Sequence, residues 1–142
     1  MRTKWILVLA AGLQVAALTG CVPTVDGRRH VGMPFTKDTI EARYERSPME
    51  IWKVAKEVIA YNGQLASEDV LKSTLEGSVN TRTVWVRVEP LDDRVTRVMV
   101  QSRTKGGAAD LEMAGEIDKQ IALKLQAGGG GSIVPRPTAA RQ

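Results

Sequence analysis

Thr83-Val84-Trp85-Val86-Arg87-Val88-Glu89 alternates without a break, three valines facing one way and Trp85 and Arg87 between them. Side chains on a strand point to opposite faces in turn, so this heptad reads as a strand with one valine-covered face and one mixed face. Downstream, Pro90-Leu91-Asp92-Asp93 is a turn, and residues 96–102 return as a second strand with Val98 and Val100 inward. Upstream, residues 73–80 place Leu75 and Val79 on one face with Gly77 between them, and residues 65–70 form a short strand. Together these segments read as an antiparallel meander.

Two helices flank the meander. Ser47 caps the first, Pro48 fits its first turn and Glu50 completes a capping box. Ile51, Trp52, Ala55, Val58 and Ile59 form its apolar stripe, and Asn62-Gly63 ends it. The second helix spans residues 108–125, with Met113, Ile117, Ile121 and Leu125 in step. A further strand precedes the first helix, with Ile40, Ala42 and Tyr44 on one face. The order is strand, helix, three or four strands, helix. Two amphipathic helices need an apolar sheet face to cover, so the expected fold is α+β: a two-layer sandwich of an antiparallel sheet with both helices on one face.

At 142 residues, 43% hydrophobic and 25% charged, the chain has room for one ordinary globular domain. The expected division is a leader over 1–20, a flexible tether over 21–37, the α+β domain over 38–126, and a disordered tail over 127–142. Pro23, Gly27, Gly32 and Pro34 mark the tether; Gly128 to Gly131 and Pro135-Arg136-Pro137 mark the tail.

The start of the chain carries the most specific signal. Arg2 and Lys4 give a positive n-region, and residues 5–18 are apolar apart from Gly12 and Gln14. A membrane-crossing helix needs roughly 20 apolar residues, whereas this stretch has signal-peptide length and is followed by small residues. Leu18-Thr19-Gly20-Cys21 resembles the bacterial lipobox: an aliphatic residue, two small residues and an obligatory cysteine. That resemblance implies diacylglyceryl transfer to the Cys21 thiol and cleavage before it. It also implies, from Val22 rather than aspartate after the cysteine, the outer membrane of a Gram-negative cell with the domain facing the periplasm; the inner or cell membrane is the alternative.

Residues 40–125 further resemble an uncharacterised family of small bacterial lipoproteins, in Tyr44 to Trp52 (YERSPMEIW), Val84 to Leu91 (VWVRVEPL) and Arg97-Val98-Met99-Val100. The chain departs from that pattern in Arg28-Arg29-His30 and in its long tail. The resemblance implies a fold and an address but no activity.

Composition removes several classes of function. Cys21 is the only cysteine, so no intrachain disulfide supports folding, and His30 is the only histidine. A Ser-His-Asp triad or a His/Cys zinc site lacks its parts within the folded region. Losing Arg2 and Lys4 with the leader leaves 18 basic against 16 acidic residues, or +2, too little to favour nucleic acid. Asp92-Asp93 reads as turn chemistry, and Lys105-Gly106-Gly107 lacks phosphate-loop spacing. Arg28-Arg29-His30 reads as a solvated linker, with docking on anionic headgroups as its competitor.

What is left is the sheet face away from the helices, where Trp85, Arg87, Arg97, Met99 and Arg103 point together. Those residue types are enriched in recognition surfaces, but Glu41, Arg43, Glu45, Glu76 and Ser78 make much of the same face polar, and a plain wet face is the favoured reading of the two. The expectation is a membrane-anchored, non-enzymatic interaction or structural module with an envelope protein as partner and no cofactor. A lipoprotein that binds a small ligand, lipid or cell-wall fragment, is the alternative.

Overall fold

The computed structural model describes residues 20–32, 38–128 and 133–134. Residues 1–19 of the leader, with Leu18 and Thr19 of the lipobox, lie outside them, and of Cys21 only the backbone is described. The elements are β1 (Gly20–Pro23), β2 (Arg29–Gly32), β3 (Thr39–Tyr44), α1 (Pro48–Asn62), β4 (Gln64–Asp69), β5 (Thr74–Val79), β6 (Arg82–Pro90), β7 (Thr96–Thr104), α2 (Leu111–Ala127) and β8 (Ile133–Val134). The main sheet runs β4-β5-β6-β7-β3-β8 with every pairing antiparallel. This is the expected α+β sandwich.

Helix α1 begins where its sequence dictates. Ser47 stands in extended conformation and its side chain accepts from Glu50 N at 3.3 Å, satisfying one of the amides that a helix start leaves unpaired. The Glu50 carboxylate turns to Arg46 at 3.2 Å. Arg46 in turn donates from Nη2 to the Leu125 carbonyl at 3.1 Å, so one guanidinium joins the start of α1 to the end of α2.

Helix α2 starts at Leu111, three residues later than the periodicity suggests, because Asp110 caps it by accepting from Met113 N at 3.0 Å. That backbone hydrogen bond, helped by the Arg82 guanidinium, holds the Asp110 carboxyl below its ordinary pKa.

Both helices cover one face of the sheet. Ile51, Ala55, Val58 and Ile59 of α1 and Ala114, Ile117, Ile121 and Leu125 of α2 are buried against Leu75, Val79, Val84, Val86, Val88, Val98 and Val100. Tyr44 joins them, its hydroxyl donating to Asp118 Oδ1 at 2.9 Å. The helices also meet each other, through Asn62 Nδ2 to Gln120 Oε1 at 2.6 Å.

Parts of two segments expected to be loose lie in strands. Residues 20–32 form a hairpin, with Cys21 opposite Val31, Val22 opposite His30 and Pro23 opposite Arg29. Its turn is closed by Thr24 N to Arg28 O at 2.9 Å and Arg28 N to Asp26 Oδ1 at 3.0 Å, and Gly27 takes the positive φ of 77° that the reversal needs. In the tail, Ile133 and Val134 pair with Tyr44 and Arg43, extending the sheet beyond β3.

Candidate functional site: the sheet face under the hairpin

Strand register fixes which side chains share the face away from the helices. Trp85 lies opposite Gln101, Arg87 opposite Met99, Glu89 opposite Arg97 and Thr83 opposite Arg103. Beyond β7, Gln101, Met99 and Arg97 lie opposite Thr39, Glu41 and Arg43 of β3. The five residues singled out from the sequence therefore do lie on one side of the sheet.

That side is not bare. Trp85 is 3% exposed and Arg103 4%, against the expectation of an open recognition surface, while Arg87, Arg97 and Met99 are half-buried. Part of the cover is the hairpin turn. Val25 N donates to Gln101 Oε1 at 2.9 Å, Arg87 Nη1 donates to Val25 O at 3.3 Å, and Lys72 Nζ donates to Asp26 O at 3.3 Å. Thr24 and Asp26 are buried with it. Alternation in a strand tells which side chains share a face but carries no information about a segment sixty residues away that lies over it.

Beneath and around the turn, charges neutralise one another. Asp38 accepts from Arg103 Nη2 and, at 2.7 Å, from Gln101 Nε2, which also orients the Gln101 amide so that its oxygen faces Val25. Glu89 holds Arg87 Nε at 2.7 Å and also Arg97; Glu41 lies 3.5 Å from Arg43 and 4.0 Å from Arg97. The hydrogen bond that Arg97 donates to the Glu89 carboxylate raises the Arg97 pKa above its ordinary value. Asp38 and Gln101 were not among the sequence candidates. Their signal was available only in part: a buried glutamine within an alternating strand marks a position that must meet a polar partner.

The other sequence motifs resolve into local structure. Asp92 Oδ1 accepts from the amides of Arg94 and Val95, each at 2.8 Å, and those bonds lower its pKa: an Asx turn rather than an acid/base pair. At Lys105-Gly106-Gly107 the amide of Gly107 is spent on Thr104 O at 2.9 Å, and Thr104 N on Ala108 O at 3.0 Å. The loop offers an anion little. Among the described residues, no three His, Cys, Asp or Glu side chains gather as a metal site would need, and no helix is long and apolar enough to cross a membrane.

Apolar exposure lies elsewhere, at the end of the molecule where α1 begins. Pro48, Met49, Trp52, Val70, Ser73 and Val88 line an open groove of about 150 Å³. Met49 is 79% and Val70 74% exposed, and Leu71 beside them is fully out in solvent. No protein-family model matches the chain, and no curated protein is similar to it in sequence.

Proposed function

We propose that this chain is a membrane-anchored envelope lipoprotein whose folded domain is a non-enzymatic protein-interaction or structural module. The observation that carries the reading is Leu18-Thr19-Gly20-Cys21 at the end of an apolar leader. Lipid on Cys21 anchors the domain, which stands on the periplasmic side of the outer membrane; the inner membrane is the alternative address.

The character of the folded part is consistent with it. Charged groups on the hairpin-covered face are engaged with one another, which suits a latch better than a reacting centre. The apolar groove at Met49, Trp52 and Val70 is the surface that best suits an envelope protein, since its burial would remove exposed apolar area from water. It suits a small ligand less, because such sites enclose roughly 300 Å³ or more.

Palmitate feeding tests the anchor. Cells expressing the full chain and given a clickable palmitate analogue are expected to label it, and the Cys21→Ala chain is expected to carry none. Equal labelling of both, or of neither, would remove the basis of the proposal.

A further inference from the structure

The hairpin carries two cations whose side chains lie exposed rather than packed into the fold. Arg29 lies opposite Pro23, two residues from Cys21 along the neighbouring strand, or about 7 Å at the usual rise of a strand. Arg28 precedes it in the turn. Both are exposed. Arg28 meets only Asp26, at 3.9 Å, with its own side chain 64% exposed, and no carboxylate among the described residues holds Arg29. By contrast, Arg43, Arg87, Arg97 and Arg103 on the adjoining sheet face each have a carboxylate within 3.5 Å or closer.

These two guanidinium groups also do not ride on a loose linker. The turn between β1 and β2 is fastened to the domain through Gln101, Arg87 and Lys72. A lipid on Cys21 therefore brings headgroup phosphates to the same side of the molecule as two exposed guanidiniums, one of them only loosely paired with Asp26, which match phosphate oxygens in both charge and fork geometry.

We infer that Arg28 and Arg29 bind the phosphates of anionic phospholipids surrounding the anchor, a second membrane contact that sets the orientation of the domain. This rests on the lipid-anchor reading. Acyl chains alone fix a point of attachment and leave the domain free to tilt; an electrostatic contact beside them removes that freedom. Through the fastened hairpin, the orientation passes to the sheet and helices, so the Trp85 face is turned toward the lipid and the helix layer away from it.

The test uses the full lipidated chain with a donor dye on Lys119→Cys, an exposed position of α2, and acceptor dyes in the headgroups of reconstituted vesicles. An acylated Cys21 does not compete for the dye. Vesicles of phosphatidylcholine with phosphatidylglycerol are expected to hold one orientation, seen as a narrow donor-acceptor separation. Vesicles of phosphatidylcholine alone are expected to give a broad one.

Combining Arg28→Glu with Arg29→Glu should reduce the preference for the oriented state by about 30-fold or more, from the energy of two basic residues near an anionic surface. Arg28→Lys with Arg29→Lys should keep most of it, and thermal unfolding should be unchanged in both. Identical energy transfer on the two vesicle types, or transfer indifferent to charge reversal, overturns the contact while leaving the anchor standing. A chain that leaves phosphatidylcholine vesicles altogether sinks the anchor, and the contact with it.

Discussion

Ile117→Ala is expected to lower the unfolding free energy by about 2–5 kcal/mol, the range for truncating a large aliphatic side chain in a core that cannot collapse around the gap. Ile117 is 0% exposed and sits in the stripe of α2 that meets the sheet valines, flanked by the equally buried Ala114 and Ile121. Against a total of about 5–15 kcal/mol for a small domain, that loss is a large share, and no intrachain disulfide exists to absorb it. Urea titration followed by tryptophan fluorescence should show a much lower midpoint with an unchanged slope. Leu123→Ala, on the same helix but 55% exposed, should shift stability by under about 0.5 kcal/mol. Equal effects at the two positions would mean that α2 is not packed as described.

Gly63→Ala should cost about 3 kcal/mol, toward the upper end for inserting atoms where there is no room. Gly63 follows α1, its amide donating to Ile59 O at 2.9 Å, and leads directly into β4. A Cβ there would overlap the Ser78 carbonyl oxygen and lie 3.1 Å from Val79 Cα. Both neighbours are backbone of β5, and the adjoining Gln64 pairs with Ser78 in the sheet. A rotamer change cannot relieve such a clash, so either the end of α1 lifts from the sheet or the β4–β5 pairing opens at that end. Gly63→Ala should therefore lower the thermal midpoint and speed amide exchange in residues 64–67. Unaltered stability would contradict the close approach of helix end and strand.

The layered fold was legible in the sequence because two periods, two for Thr83 to Glu89 and about 3.6 for α1 and α2, agreed on a single apolar face. Capping chemistry places the start of α1 at Ser47-Pro48, and Asp110, a good N-cap residue, marks the start of α2 where the apolar run alone extends it to residue 108. What the sequence concealed was the N-terminal hairpin. Short strands of four residues show no sustained alternation, and the reversal signal Asp26-Gly27 stands among Pro23, Gly32 and Pro34, a composition shared with linkers.

The candidate face suffered from that omission. Its membership followed from alternation, but its burial depended on Val25, Gln101 and Asp38, three residues far apart in the chain that meet only in the folded state. The open apolar surface is therefore the groove at Met49 and Trp52 rather than the Trp85 face, and the segment just after Cys21 is fastened to the sheet through Val25 and Asp26.

The central claim is that a lipid on Cys21 anchors the domain, and the mass of the mature amino terminus tests it most directly. Protein extracted from the membrane fraction and digested should yield an amino-terminal peptide that begins at Cys21 and carries a diacylglyceryl group. A peptide that begins at Met1, or an unmodified Cys21 in membrane-bound protein, would contradict the account.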